Sequence, residues 1–370
     1  MIRMKVYFYI PSLASGGAER QCAIIASDLK VRYGHDVKVF VNFFDNYNIE
    51  NRKMLESASV PVIDISSSIW RSFMNLRQVL RQNRDAILFT FLTGPNFVGS
   101  LAARISGVRR VYSGIRCGWL PLRKRLSEMF VNCFLAAGTV FNSYKAYNKF
   151  IKEGFIAQKS FVISNAIALW GAREERIDRE SVRIVTVGRF TPEKDYHSWL
   201  SVIKNVSQAG CKINAHIVGW GRLEPEVRRW VHDMGLDGLV VMHPGDANVK
   251  ELLSQSDIYL SASTSEGVSN AILEAMNSAL PVVTTDAGDA SKMVLDGISG
   301  YVVEVGDVQL MTQYVIRLVE NHAMRIAFGK YARKLLADKY SVDRVVSMYQ
   351  KLITGEPTKS MQMFKGELCQ

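Results

Sequence analysis

Glu266 and Glu274 stand in the stretch Ser256–Met276, which reads S-D-I-Y-L-S-A-S-T-S-E-G-V-S-N-A-I-L-E-A-M. The apolar run Ile258–Leu260 predicts a buried strand and Thr264–Ser269 a loop. A helical pattern follows from Asn270, with Ser269 as its N-cap. One carboxylate then sits in the loop and the other one turn into the helix, so both lie near the same helix N-terminus. Backbone N–H groups and the helix dipole make such an end attractive to anions. Carboxylates beside it are unsuited to holding phosphate themselves and suited to gripping hydroxyls. A ligand with an anionic part and a hydroxyl-bearing part, as a nucleotide sugar has, fits that pair. An ordinary strand–loop–helix with two solvated glutamates shows the same letters, so the rest of the chain must weigh in.

Two further stretches repeat the pattern of strand, polar turn and helix. Arg183–Phe190 reads R-I-V-T-V-G-R-F and is followed by Thr191-Pro-Glu-Lys-Asp195. Ile184–Val187 suits a buried parallel strand. Thr191 as N-cap with Pro192 at the first helical position predicts a helix start. Arg189 and Lys194 then flank the carboxyl end of a strand, where open α/β sheets bind ligands. Two cations there suit a diphosphate, Arg by its fork and Lys as a point charge; two surface cations are the plainer alternative. At the N-terminus, Val6–Ile10 is a strand, Pro11–Gly17 a tight loop, and Ala18-Glu-Arg-Gln21 opens a helix to about Val31. Gly16 and Gly17 permit close approach of backbone to a ligand. They do not form the G-x-G-x-x-G dinucleotide fingerprint.

G-G-A-E-R after the first strand, V-G-R-F-x-x-x-K opening the second half and E-x7-E towards the C-terminus occur in that order. Together they resemble a retaining glycosyltransferase of the GT-B fold, family-4 type, over about Met4–Leu352. V-G-W-G-R-L at Val218–Leu223 is similar to that family's V-G-x-G segment. The resemblance implies roles by position. Gly16 and Gly17 would face the donor diphosphate, and Arg189 and Lys194 would neutralise it. Glu266 would contact the donor sugar's hydroxyls and Glu274 the ribose. Backbone amides of Gly267, Val268, Ser269 and Asn270 would complete the cradle, with Gly219 and Gly221 also on the nucleotide side. Many relatives carry a His on the acceptor side. Here V-Y-S-G-I-R-C at Val111–Cys117 puts Arg116 in its place. That Arg would meet an anionic acceptor group, stabilise a departing phosphate, or simply hold a loop.

The six histidines show no metal-ligand spacing, and no D-x-D occurs in the chain. Metal-dependent transferases usually display their metal on such a pair, so cations and helix dipoles are expected to hold the diphosphate, with no metal and no cofactor. The five cysteines lack paired spacing, which favours a reduced, cytoplasmic setting. Met1–Leu13 carries Arg3 and Lys5 before a short apolar run but leads straight into the Gly-Gly turn, so it reads as a strand rather than a signal peptide. Phe130–Phe141 is too short to span a bilayer.

Alternating strand and helix patterns over 370 residues predict an α/β chain with two Rossmann-like, doubly wound parallel sheets facing across a cleft. Strands are expected at 4–10, 36–42, 86–91, 109–113, 137–141 and 160–164. A second set is expected at 183–188, 213–218, 239–242, 257–260, 281–284 and 301–303. Residues 1–168 would form the acceptor domain and 169–340 the nucleotide-sugar domain, with a linker within Asn165–Glu180. Residues 341–354 would be a helix packing back towards the first domain, and 355–370 a tail.

Charge is uneven. Residues 1–168 hold 23 Lys+Arg against 10 Asp+Glu, a net of +13, and the remainder is −2, within a total of +11. Arg109, Arg110, Arg123, Lys124 and Arg125 are the densest groups, with Trp119, Leu120 and Leu122 between them. Such interleaving suits an anionic membrane surface; no nucleic-acid motif accompanies it. The expectation is transfer of a hexose or N-acetylhexosamine from a nucleotide sugar to a membrane-borne glycan acceptor, in polysaccharide or lipid-linked oligosaccharide synthesis. UDP comes first by resemblance and GDP stays open. The enzyme would be cytoplasmic, peripheral on the inner face of the cell membrane. A nucleotide-sugar epimerase of the same architecture and a non-catalytic nucleotide-sugar-binding protein are the alternatives.

Overall fold

The structure is a computed structural model that describes residues 2–171, 180–245 and 247–356. Part of the expected linker, 172–179, and most of the expected tail, from 357, lie outside the described residues. The chain forms two compact units. Unit 1 comprises residues up to Ala166 together with those from Val342 onward, and unit 2 spans Ile167–Ser341.

Unit 1 alternates strands and helices: β1 (Lys5–Ile10), α1 (Gly17–Tyr33), β2 (Asp36–Val41), α2 (Ile49–Ser57), β3 (Val62–Asp64), α3 (Ile69–Gln82) and β4 (Ile87–Phe91). It continues through α4 (Thr93–Ser106), β5 (Arg110–Ile115), α5 (Leu122–Phe130), β6 (Gly138–Phe141), α6 (Tyr144–Lys152) and β7 (Ser160–Val162). The strands make one parallel sheet in the order β3-β2-β1-β4-β5-β6-β7. Strands buried on both faces explain the continuous apolar runs. Val6, Phe8 and Ile10 point into one helical layer, while Tyr7 and Tyr9 point into the other, with Leu76 and Leu80 of α3 and Ala102 of α4. The strand β3 was not foreseen. It is a three-residue edge strand after Pro61, too short for an alternation signal, and Pro is tolerated at such an edge.

Unit 2 runs β8 (Val182–Val187), α7 (Tyr196–Gln208), β9 (Ile213–Val218), α8 (Glu224–Asp233), β10 (Val240–His243), α9 (Val249–Ser254) and β11 (Ile258–Ser261). It ends with α10 (Asn270–Asn277), β12 (Val282–Thr285), α11 (Ala290–Met293), β13 (Gly300–Val303), α12 (Val308–Glu320) and α13 (His322–Tyr340). The parallel sheet order is β10-β9-β8-β11-β12-β13. Strand order therefore reverses between β8 and β11, and the loops leaving their carboxyl ends emerge side by side, the usual ligand position in open α/β sheets. The chain enters at Ile167 and leaves at Ser341, which form an isolated parallel bridge. A last helix, α14 (Val342–Thr354), belongs to unit 1 and buries Val345, Val346, Tyr349 and Leu352 in the β1–α1 layer. Among the described residues no helix is long and apolar enough to cross a membrane.

Candidate functional site

The loops after β8 and β9 are tied before any side chain enters the site. Gly188 N–H donates to Val218 O at 2.9 Å and Phe190 N–H to Trp220 O at 2.7 Å. This pairing explains the glycines of V-G-W-G. A Cβ on Gly219 would lie 2.0 Å from Gly188 O, and Gly221, at φ +149, would put one 2.7 Å from Phe190 O. Only glycine lets the two backbones meet there.

The helix expected to start at Thr191 starts four residues later. Pro192–Lys194 is a 3₁₀ turn, and Thr191 caps nothing with its side chain. Asp195, left-handed at φ 43, is the true cap of α7: its carboxylate accepts from Ser198 N at 3.1 Å and Ser198 Oγ at 2.7 Å. Aspartate tolerates that conformation and satisfies the orphan N–H groups, so it wins the cap. The consequence is functional. Thr264 N–H donates to Glu193 O at 2.8 Å, stitching the 3₁₀ turn to the loop after β11.

That stitch brings the predicted residues Lys194 and Glu266 together. Lys194 Nζ lies 2.5 Å from Glu266 Oε1, which also accepts from Ser263 Oγ at 3.0 Å. Ser263 is itself fixed, its carbonyl accepting from Thr285 Oγ1 at 2.5 Å. Beyond Glu266, Gly267 O accepts from Asp289 N–H at 3.0 Å, and Val268 is buried in the α10 core. The loop is thus pinned at both ends before α10 begins at Asn270. Ser269 holds the N-cap position in extended backbone, but its side chain makes no capping bond. Glu274 lies half-buried one turn into α10. Arg189 is exposed, 3.8 Å from Glu193 and not joined to Glu266. The phenol of Tyr196, whose OH donates to Gly188 O at 2.8 Å, is held above its usual range by burial and then by the charge of Glu266.

The remaining candidates lie in unit 1. Gly16 is the N-cap of α1, in extended backbone, and a Cβ there would meet the Glu19 carboxylate at 2.0 Å. Gly17 is the first residue of α1. Arg116 follows β5. Its guanidinium reaches Tyr349 OH on α14 at 2.5 Å and Asn165 Oδ1 at 3.4 Å, and stands 4.8 Å from the centre of the Phe91 ring. Arg110, counted above in a basic surface group, is turned inward: it donates to the carbonyls of Leu352 and Ile353 at the end of α14. Cations satisfy the orphan carbonyls of a helix C-terminus, which explains the diversion. Arg125, from the other group, pairs with Glu153 at 2.9 Å.

Sequence reasoning missed several partners. Ser263 gave no signal among neighbouring serines, and Tyr349 is remote in sequence from Arg116. Glu128 gives no signal of its own in a stretch dominated by Arg123, Lys124 and Arg125. It is buried, and both its oxygens accept from Asn96 Nδ2, at 2.9 and 3.0 Å. Asn96 in turn accepts from Thr90 Oγ1 at 2.8 Å and donates to Gly114 O at 3.0 Å. Burial pushes the Glu128 carboxyl up to about 7.

Residues 172–335 match the family model described as glycosyl transferases group 1. The chain is 25% identical to the N-acetylgalactosamine-N,N'-diacetylbacillosaminyl-diphospho-undecaprenol 4-alpha-N-acetylgalactosaminyltransferase of Campylobacter jejuni, over 93% of this chain and 99% of that one. It is 23% identical to the UDP-Gal:alpha-D-GlcNAc-diphosphoundecaprenol alpha-1,3-galactosyltransferase of Escherichia coli, over 77% and 80%. Other relatives are longer. The match to the poly(ribitol-phosphate) alpha-N-acetylglucosaminyltransferase of Staphylococcus aureus, 25% identical, takes in 55% of this chain but only 41% of that protein. The chain likewise spans about half the length of the Salmonella typhi Vi polysaccharide biosynthesis protein VipC/TviE, 49%, at 23% identity over 70% of this chain. In fold it is similar to Anabaena Alr3699/HepE, solved in complex with UDP and glucose: TM-score 0.81, 18% identity, 95% of this chain and 100% of that one.

Proposed function

We propose that this chain, a GT-B protein of the group 1 glycosyl transferases, is a retaining, metal-independent hexosyl- or N-acetylhexosaminyltransferase. Its donor would be a nucleotide sugar, UDP-linked first and GDP-linked as the open alternative, and its acceptor a membrane-borne glycan in polysaccharide or lipid-linked oligosaccharide synthesis. Work on a membrane-borne acceptor places the enzyme peripherally on the inner face of the membrane. The single observation that carries the reading is the Lys194–Glu266 pair at the strand-order reversal of unit 2, beside the N-terminus of α10. The names of relatives that act on diphospho-undecaprenol-linked sugars support the acceptor class.

The proposed chemistry follows from charge. A departing nucleoside diphosphate gains negative charge in the transition state. Lys194 and Arg189 meet that charge with fixed positive groups, and the α10 N-terminus adds oriented N–H donors. Glu266, held by Lys194 and Ser263, presents an acceptor to the hydroxyls of the transferred sugar, and Glu274 one to the ribose. A carboxylate already engaged with a lysine is a poor nucleophile, which favours departure and attack on the same face of the sugar. The acceptor's proton would then pass to the leaving diphosphate. Positive side chains at the diphosphate make a metal unnecessary in this scheme.

The test is a panel of UDP- and GDP-sugars scored by thermal shift, followed by product analysis with undecaprenyl-diphosphate-linked acceptors in EDTA. Bound donor stabilises by mass action. Transfer with retained anomeric configuration in EDTA is expected. Interconversion of the nucleotide sugar without acceptor would replace this reading with an epimerase. Donor binding with neither transfer nor hydrolysis would leave a binding protein, and dependence on added Mn²⁺ would end metal independence.

A further inference from the structure

We infer that the α5 face of unit 1 inserts into an anionic lipid leaflet, with Leu122, Leu126, Phe130 and Phe134 as the inserting stripe; the inference rests on the membrane-borne acceptor proposed above. These four side chains are between 46% and 65% exposed. Isolated exposed apolar residues are ordinary, whereas a contiguous row marks a binding surface. Here the aromatic end of the row is contiguous: the rings of Phe130 and Phe134 are 5.2 Å apart, and Phe97 of α4 lies 6.4 Å from Phe130, while Leu122 and Leu126 precede them at four-residue spacing on α5.

Local backbone geometry keeps the row on one face. Residues spaced by four drift around an α-helix of 3.6 residues per turn. After Phe130 the helix widens into a π turn, Val131–Leu135, closed by Ala136 N–H donating to Val131 O at 2.8 Å. A wider turn reverses the drift and returns Phe134 to the side of Phe130, while Asn132 stays buried and bonded to Thr139 at 3.0 Å.

Charge identifies the occupant. From 69 to 152, which takes in α3 to α6, the acids are Asp85 and Glu128. Asp85 pairs with Lys5 at 3.0 Å and Glu128 is buried. Arg71, Arg104, Arg123, Lys124, Lys145 and Lys152 are exposed on the same helices. The opposite layer is mixed in sign, with Asp28 paired to Arg32 in α1 and Glu56 to Arg52 in α2. A second copy of so basic a face would be repelled, whereas an anionic leaflet takes both the cations and the apolar stripe. Arg110 and Arg125 are engaged within unit 1, so Arg123 and Lys124 carry the charge next to the stripe.

The test is sedimentation with vesicles of phosphatidylcholine alone or mixed with phosphatidylglycerol, at low and high salt. The chain should bind the anionic vesicles, weaken with salt and largely ignore the neutral ones. Phe130→Ser with Phe134→Ser, and separately Arg123→Ser with Lys124→Ser, should each weaken partitioning roughly tenfold or more. Thermal shift by the donor should persist in both variants, which keeps misfolding apart from lost binding. Unchanged partitioning of both variants, or no binding of the unaltered chain to anionic vesicles, overturns the inference. So does a dimer on size exclusion that the Phe variant breaks without altering vesicle binding. Failure here with transfer to a soluble acceptor intact leaves the glycosyltransferase reading standing. Vesicle binding without donor binding does the reverse.

Discussion

Lys194 carries two tasks that conflict if it acts alone. It is assigned to the donor diphosphate, yet in the structure its ammonium contacts Glu266, whose carboxylate also accepts from Ser263. Removing Lys194 therefore takes away both a phosphate partner and the group that orients Glu266. Lys194→Ala should lower turnover by a factor on the order of 100, as loss of a fixed charge at a leaving group does. Glu266→Gln should lower turnover as well, and the double variant should lose far less than the product of the two. Single-turnover rates at saturating donor measure this; multiplicative losses would show that the pair does not work as a unit. Glu274 makes a contrasting case. Ribose contacts change little between ground and transition states, so Glu274→Ala should weaken affinity for free nucleoside diphosphate and spare turnover at saturation. Unaltered affinity in calorimetry would remove the ribose assignment.

Elements decide whether those residues meet. The 3₁₀ turn 192–194 and the loop 262–269 come from neighbouring strands and share the Thr264–Glu193 backbone bond. The β9 loop supports them from the other side through Gly219 and Gly221. Gly219→Ala places a methyl where Gly188 O stands, so one loop must move. It should destabilise the fold by about 1–3 kcal/mol, the usual cost of overpacking, and displace the 188–195 segment. Chemical denaturation of the variant, with donor affinity measured alongside, checks both parts. A variant as stable as the parent with full donor affinity would show that this backbone contact is dispensable. Glycine-rich motif letters here serve the meeting of two protein backbones, at least as much as the approach of a ligand.

At the scale of the molecule, one buried group in each unit contributes a pH dependence of opposite sign. In unit 1, burial raises Glu128 from 4.5 to about 7. Its protonated form is favoured by folding, so the stability it lends is full below about 4.5 and is lost as pH rises through about 7. In unit 2, His216 is lowered from 6.5 to about 4 by burial, then by the charges of Arg183 and His243, whose ring nitrogen lies 2.8 Å away. Its neutral form is favoured by folding, so that stability is present above about 6.5 and is lost as pH falls through about 4. Glu128→Gln should therefore gain on the parent in melting temperature as pH goes from 5 to 8. A melting-temperature difference that stays constant over that range would mean Glu128 does not titrate across it.

The sequence by itself determined the two parallel sheets, and its motifs marked both loops at the β8–β11 reversal. Runs such as Ile184–Val187 and Ile258–Leu260 are local and apolar, and burial on both faces of a parallel sheet imposes that composition residue by residue. Edge strand β3 escaped because three residues on a half-exposed edge carry no such constraint. The start of α7 was misplaced because Thr191-Pro192 and Asp195 are competing caps, and only backbone conformation chose between them. Tertiary structure alone decided which polar groups meet. Lys194 finds Glu266 because β8 and β11 are neighbours in the sheet. Arg116 finds Tyr349, and Arg110 the end of α14, because that helix folds back into unit 1. Glu128 turned inward in a stretch that reads as a solvated basic helix, since Asn96 and Gly114 lay ready to take it. Polar pairing is short-ranged in space and indifferent to distance along the chain. No window of sequence contains it until the apolar core has set which elements are adjacent.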